Sequence, residues 1–219
     1  MTEAGPAAKR PPHMLLELFP VRSSLPCVMT LLLLAGLGAC DKQSPPAGQG
    51  PNATSGEATG PAQSGKGAFS YTLDRSKAGT PAPGFTFQNP DGSDAKLSDF
   101  AGRPMLVNLW ATWCAPCVAE MPTLDAVAAE YGKQGLAVLT ISQDSQGEAV
   151  IKPFFEKHPL PHLKGWIDPE NQFGFHYNTG MLPTTVIYDA QGRETARVVG
   201  AMDWNSREGR ALIEAAMAS

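Results

Sequence analysis

Two cysteines three residues apart, Cys114 and Cys117, directly follow an apolar run in the middle of the chain. The run Met105–Trp110 predicts a buried strand, and the segment from Cys114 to about Tyr131 predicts a helix. Cysteines at this spacing can close a small disulfide ring, and a helix N-terminus stabilises the thiolate that opens and closes that ring. The arrangement therefore predicts thiol–disulfide exchange at the junction of a buried strand and a helix.

The rest of the chain alternates between short apolar runs and segments with helical spacing. We expect strands at residues 85–87, 136–141, 162–167, 184–188 and 194–199, and helices at residues 148–157, 171–177 and 206–217. Asp-Ala-Gln-Gly at residues 189–192 predicts a hairpin turn between the last two strands. Alternation followed by a hairpin predicts an α/β fold, in which helices flank both faces of a mixed central sheet.

Residues 1–39 have the pattern of an export signal. Arg22 precedes an apolar run at residues 25–37, which is short for a membrane-spanning helix. The run ends in Leu-Gly-Ala-Cys, which resembles the lipobox of bacterial lipoproteins and implies cleavage before Cys40 and diacylglyceryl attachment to its sulfur. Asp41 resembles a signal for retention at the inner membrane. We therefore expect a lipid anchor that holds the protein on the periplasmic side of the inner membrane.

The segment after the lipobox contains no large apolar side chain up to residue 68. Such a segment cannot bury enough apolar surface to offset its ordering entropy, so residues 40–68 are predicted to be the lipidated cysteine and a flexible tether. Residues 69–219 have a globular composition and suit a single domain. The net charge of −4 gives no reason to expect nucleic-acid binding, and four cysteines are too few for a disulfide-stapled scaffold.

Four segments of the globular region resemble the thioredoxin superfamily, and within it the membrane-tethered TlpA/ResA-like branch. They are residues 83–85 with 97–104, residues 107–117, residues 120–122, and residues 180–185 with 189–192. The resemblance implies a thioredoxin-like fold with an N-terminal strand extension, and a redox-active disulfide with no further cofactor. It also implies reduction of disulfides in protein substrates, for example in cytochrome c maturation, with electrons from a membrane thiol transporter. We expect a monomer.

The redox chemistry is assigned to three side chains of the predicted helix. Cys114 is the expected nucleophile and the exposed member of the pair, because the helix dipole and backbone N–H groups favour its thiolate. Cys117 lies on nearly the same helical face and is the expected resolving thiol. Asn108 stands where thioredoxins usually carry a buried Asp, so proton transfer is assigned to Glu120, which could alternatively be a solvated surface glutamate.

Four further residues are predicted to meet the substrate. The resemblance implies that Pro183 is a cis proline that lies against the cysteines and leaves the preceding backbone free to pair with an extended substrate. Leu182, which precedes it, is expected to touch that substrate. Trp113 is expected to be half-exposed beside Cys114 and to offer a docking surface. Pro116 removes an otherwise unpaired N–H near the helix start and stiffens the loop.

The same residues leave three other functions open to different degrees. A disulfide-donating oxidase uses the same fold, and the Ala-Pro pair between the cysteines does not decide the direction of electron flow. A thiol peroxidase would need a Pro-x-x-x-Thr-x-x-Cys arrangement, but Val107 and Ala111 occupy those positions before Cys114. A copper-delivery module is disfavoured because related copper chaperones use Cys-x-x-x-Cys. No metal site is predicted, since the histidines lack a metal-like spacing around the cysteines.

Overall fold

The computed structural model describes residues 62–64 and 69–219 of the chain. Within these residues the strands are β1 Ala62–Ser64, β2 Tyr71–Asp74, β3 Thr86–Gln88, β4 Asp94–Lys96, β5 Met105–Trp110, β6 Ala137–Ser142, β7 Trp166–Ile167, β8 Thr184–Tyr188 and β9 Glu194–Gly200. The helices are α1 Ala115–Tyr131, α2 Glu148–Lys157, α3 Gln172–Tyr177 and α4 Arg207–Met217. Short 3-10 helices cover Leu97–Phe100 and Gly132–Gln134.

These strands form one mixed sheet in the order β1-β2-β9-β8-β5-β6-β7-β3-β4. The strand that leads to the cysteines, β5, lies inside the sheet, parallel to β6 and antiparallel to β8. Parallel neighbours require crossover connections, which α1 supplies between β5 and β6 and α2 supplies between β6 and β7. The mixed α/β sheet with flanking helices confirms the predicted thioredoxin-like architecture.

The sheet separates two apolar clusters, because successive side chains of a strand point to opposite faces. Leu106 and Trp110 of β5 join one cluster, together with side chains of α1, α2 and α4. Met105, Val107 and Leu109 join the other, together with side chains of β3 and α3. All six residues of β5 are buried, so the strand that positions the cysteines is held from both faces.

Most predicted elements lie within a residue or two of their predicted positions, and the main differences concern short strands. The expected strand at residues 162–167 is reduced to Trp166–Ile167, and β2 and β4 were not predicted because they are short and carry few apolar side chains. The predicted tether reaches residue 68, but Ala62–Ser64 is a strand that pairs with β2. Backbone hydrogen bonds can form an edge strand without apolar side chains, so composition does not predict such a strand.

Several sequence predictions lie outside the described residues. They are the signal peptide at residues 1–39, the lipidated Cys40 and most of the tether. Among the residues that the structure does describe, none of the helices combines the length and the apolar character that crossing a membrane requires.

Candidate active site

The two cysteines form a disulfide at the start of α1. Cys114 is the N-cap residue of this helix, and its Sγ accepts a hydrogen bond from the backbone N–H of Cys117 at 3.3 Å. The helix thus begins one residue later than predicted, and Pro116 occupies its second position, where a missing N–H costs nothing. The sulfur of Cys114 therefore sits where backbone N–H groups and the helix dipole stabilise a thiolate.

Cys114 is the more exposed cysteine of the pair, as predicted, but most of its surface is covered. Its exposed fraction is 5%, against 0% for Cys117. Cys114 lines the wall of a groove rather than a convex surface, and the groove walls cover most of it. It is still the cysteine that faces the open side, because Cys117 is fully enclosed by the core.

Glu120 is fully buried on α1, three residues after Cys117. Its Oε1 accepts a hydrogen bond from Asn108 Nδ2 at 2.7 Å, and its Oε2 accepts one from the backbone N–H of Met202 at 3.0 Å. Burial raises the pKa of Glu120 to about 8, and the N–H groups of Met202 and Asn108 only partly oppose this shift. The Trp204 side chain makes a further, smaller contribution that lowers the pKa.

The carboxyl of Glu120 therefore has neutral donors around it. Asn108 occupies the middle of β5 and also donates to Thr185 Oγ1 on β8 at 2.9 Å, so its amide is fixed from two sides. A buried carboxyl with a pKa near neutrality can hold or release a proton at physiological pH. The surface-glutamate alternative does not apply to this residue.

Pro183 directly precedes β8, and the Leu182–Pro183 peptide bond is cis, as the resemblance implied. Pro183 is buried and its carbonyl accepts from the backbone N–H of Gly200 at 2.9 Å. Thr184 Oγ1 donates to the Met181 carbonyl at 2.8 Å, which fastens the preceding turn. These contacts bring half-buried Leu182 to the groove wall that faces Cys114.

The groove beside Cys114 has a volume of about 590 Å³ and no charged side chain in its lining. Trp113, Phe175 and Met181 line it and are 72%, 75% and 56% exposed, and among the described residues they are the large apolar side chains left exposed. Trp113 is thus more exposed than predicted. Pro116 is exposed nearby but is not part of the lining, so of the four predicted substrate contacts the groove contains Trp113 and Leu182.

The loop before Cys114 is held by a residue that sequence reasoning missed. Asp144, which follows β6, is buried and accepts hydrogen bonds from Thr112 and Ser142. A single Asp after a strand is common in loops, and no signal in the sequence distinguished it. Only the pairing of Trp110 with Ser142 in the parallel β5–β6 ladder reveals that Asp144 reaches Thr112.

Within the described residues, the three histidines do not contact the Cys114–Cys117 pair. His162 Nδ1 lies 3.0 Å from Asp125 Oδ2, His158 stacks on Phe154, and the ring of His176 lies against Phe85. In residues 62–64 and 69–219, no three His, Cys, Asp or Glu side chains are grouped so that they could hold a metal ion.

The comparisons with known proteins agree with this geometry. The model of the Redoxin family matches residues 77–213. Two curated relatives are called thiol-disulfide oxidoreductase ResA. The one from Oceanobacillus iheyensis is 33% identical over 141 residues, which cover 61% of this chain and 70% of the relative. The one from Geobacillus kaustophilus is 33% identical over 124 residues, which cover 57% of this chain and 70% of the relative.

Solved structures share the fold over nearly their whole length. A thiol:disulfide interchange protein DsbE from Chlorobium tepidum is 28% identical with a TM-score of 0.57, over 64% of this chain and 96% of that one. The exposed lipoprotein thioredoxin Etrx1 from Streptococcus pneumoniae is 27% identical with a TM-score of 0.52, over 59% of this chain and 98% of that one. With a Cys-x-x-Cys disulfide at the start of α1, the chain belongs to the Redoxin family and is a thioredoxin-like thiol–disulfide oxidoreductase of the ResA type.

Proposed function

We propose that the protein is a lipid-anchored reductase that cleaves disulfides in polypeptides on the periplasmic side of the inner membrane. The observation that carries the proposal is the Cys114–Cys117 pair at a helix N-terminus, open on one side to an uncharged, apolar-rimmed groove. Thiol–disulfide oxidoreductases act on disulfide-bearing proteins, and an extended segment can lie in such a groove against Trp113 and Phe175. Aromatic side chains bind polypeptides without requiring a particular charge.

In the reduced protein the Cys114 thiolate attacks one sulfur of the substrate disulfide. A bond forms between Cys114 Sγ and that sulfur, the substrate disulfide breaks, and its second sulfur leaves as a thiolate that takes up a proton. The Cys117 thiol then loses its proton to the Glu120 carboxylate and attacks Cys114 Sγ. The mixed disulfide breaks, the substrate leaves with both thiols reduced, and the pair keeps the disulfide, so two electrons have passed to the substrate.

Reduction of the Cys114–Cys117 disulfide for the next cycle follows the same steps in reverse and requires an external dithiol. The proposed donor is a membrane thiol transporter, because a reducing dithiol in an oxidising compartment has to be supplied from the cytoplasm. The thiolate of the donor attacks Cys114 Sγ, Cys117 leaves, and protonated Glu120 returns the proton to the Cys117 sulfur. The second thiol of the donor loses its proton to solvent and attacks the donor sulfur of the mixed disulfide, so Cys114 leaves as a thiolate and the donor keeps the disulfide. A pKa of about 8 keeps most of Glu120 protonated at pH 7 in the oxidised protein, which suits this step.

Membrane attachment is the part of the proposal that rests on Cys40. The lipobox at residues 37–40 supports it, and so does the similarity to a solved exposed lipoprotein thioredoxin. Two or three acyl chains give firm anchoring. Labelled palmitate is expected to enter the wild-type protein and to be absent from Cys40→Ser, which should also leave the membrane fraction. Equal labelling of both proteins would reject the anchor.

The direction of electron flow is tested by the reduction potential of the pair. The full chain with Cys27→Ser and Cys40→Ser retains only Cys114 and Cys117 as thiols. We expect a potential at or below about −250 mV, in the range of thioredoxin, together with reduction of a peptide disulfide. A potential of about −120 mV would instead identify a disulfide donor, because that value is typical of strong oxidants such as DsbA.

A further inference from the structure

A buried carboxylate fastens the loop that carries the cysteines. Asp144 is 5% exposed and accepts three hydrogen bonds: from the backbone N–H of Thr112 at 2.8 Å, from Thr112 Oγ1 at 2.9 Å and from Ser142 Oγ at 2.9 Å. Its own backbone N–H donates to Ser142 Oγ at 3.0 Å. These three hydrogen bonds therefore fix the orientation of the Asp144 carboxylate.

These bonds hold the middle of the turn that ends in Cys114. The backbone N–H of Cys114 donates to the Ala111 carbonyl at 3.1 Å, which closes the turn around Thr112 and Trp113. Trp113 is largely exposed, so packing of its side chain contributes little to fixing the turn. The hydrogen bonds from Thr112 to Asp144 therefore attach the turn to the segment that follows β6.

The parallel ladder explains why Asp144 can reach this turn. Trp110, the last residue of β5, pairs with Ser142, the last residue of β6. The segments that follow these two strands therefore leave the sheet side by side. The backbone N–H of Gln143 donates to the Trp110 carbonyl at 2.8 Å, and Asp144 then meets Thr112. Gln143 and Asp144, the two residues that follow β6, thus form hydrogen bonds with Trp110 and Thr112, which lie just before Cys114 in the sequence.

We infer that Asp144 is a positioning residue that, through Thr112, holds Cys114 at the N-cap of α1 and so maintains its reactivity as a thiolate when the disulfide is open. The inference rests on the proposed role of Cys114 as the attacking thiol. In the oxidised protein the bond to Cys117 also restrains Cys114, but that restraint is lost on reduction. The hydrogen bonds to Asp144 involve no cysteine and remain available to keep Cys114 Sγ on the Cys117 N–H.

The first test compares two substitutions of Thr112 in the reduced full chain, with iodoacetamide alkylation of Cys114 followed by mass spectrometry from pH 5 to pH 9. Thr112→Val removes the hydroxyl donor without changing charge, and Thr112→Ser keeps it. At pH values below the pKa of the Cys114 thiol, the loss of one hydrogen bond should lower the alkylation rate of Thr112→Val about fivefold. Thr112→Ser should behave as the wild type, and Thr195→Val, which removes a Thr hydroxyl bond to the Ile187 carbonyl on β8, is the matched control.

Asp144→Asn separates positioning from charge. Removal of a negative charge alone would lower the pKa of a neighbouring thiol and speed its alkylation. Positioning predicts the opposite, because the new amide N–H₂ cannot accept the bonds that one carboxylate oxygen accepts now. We therefore expect slower alkylation in Asp144→Asn than in Thr112→Val, with the profile displaced to higher pH.

The outcomes separate this inference from the function on which it rests. If Cys117 is alkylated before Cys114 in the wild type, the assigned nucleophile is wrong and the inference falls with it. If Cys114 reacts first but Thr112→Val matches both Thr112→Ser and Thr195→Val, only the positioning role is overturned. Faster alkylation in Asp144→Asn would likewise overturn it, in favour of an effect of charge.

Discussion

Two buried glutamates lie in this domain, and their surroundings differ in charge. Glu194 on β9 is 3% exposed and forms a two-pronged ion pair with Arg197, at 3.0 Å from Nε and 2.8 Å from Nη2. Glu120 is 0% exposed and receives hydrogen bonds only from the neutral groups of Asn108 and Met202. One buried carboxylate is compensated by a cation, and the other is not.

The ion pair between Glu194 and Arg197 belongs to the structural framework of the domain. Arg197 also donates from Nη1 to the Tyr177 carbonyl at 3.0 Å and lies 4.9 Å from the centre of the Tyr177 ring, so it fastens the end of α3 to the sheet. Burial lowers the pKa of Arg197, but the bonds to Glu194 outweigh it and the net pKa is raised. The uncompensated carboxyl instead has a pKa of about 8 and lies on the same helix as the cysteines. The absence of a neighbouring cation, rather than burial alone, therefore leaves Glu120 able to exchange a proton.

The largest expected effect comes from breaking the ion pair. Arg197→Met should leave Glu194 buried without a partner and lower the free energy of unfolding by about 3–5 kcal/mol. Urea denaturation followed by circular dichroism measures this loss. The double variant Glu194→Leu with Arg197→Met should regain most of it, because no unpaired charge then remains. A single variant as stable as the wild type would mean that the pair does not stabilise the framework.

Glu120→Gln should change how stability depends on pH. The folded-state pKa of Glu120 is raised from 4.5 to about 8, so the folded protein binds the extra proton between these values and loses stability as pH rises. The slope is at most about 1.4 kcal/mol per pH unit, and it should vanish above pH 8.

Urea titrations of the oxidised protein at intervals from pH 5 to pH 9 test this slope. Glu120→Gln should flatten the curve, whereas Glu130→Gln, which removes an exposed ion pair with Arg210 from the same helix, should leave its slope unchanged. Parallel curves for the wild type and Glu120→Gln would show that Glu120 carries no shifted proton.

A smaller effect is expected from one of the neutral donors. Asn108→Leu removes the hydrogen bond that favours the ionised form of Glu120, so the pKa of Glu120 should rise further, by about one unit. The point at which stability stops falling with pH should then move from about 8 toward higher pH. An unchanged inflection would mean that the Met202 N–H alone sets the balance.

The sequence predicted the elements whose signals are local. β8 and α2 have the predicted limits, because an apolar run and a helical spacing are visible within a few residues. Cys114, Cys117 and Pro183 followed from a motif and a family resemblance. The burial of Glu120 did not follow, since its partner Met202 lies 82 residues away along the chain.

The residues of the groove wall likewise could not be predicted from local sequence signals. Phe175 was predicted only as part of a short helix, and nothing local distinguished it from buried Phe173 two residues earlier. Residues of α3 and of the turn after it line the groove together with Cys114, although they lie far from it along the chain. Asp144 was missed for a similar reason, because its contact with Thr112 depends on the register of two parallel strands.

The central claim is that protonated Glu120 supplies the proton when the Cys114–Cys117 disulfide opens. Its most direct test is the rate at which a small dithiol reduces the oxidised protein from pH 6 to pH 9.5, divided by the thiolate concentration of that dithiol. We predict that this normalised rate falls above about pH 8 in the wild type, and is lower and flat in Glu120→Gln. Coincident profiles for the two proteins would contradict the account.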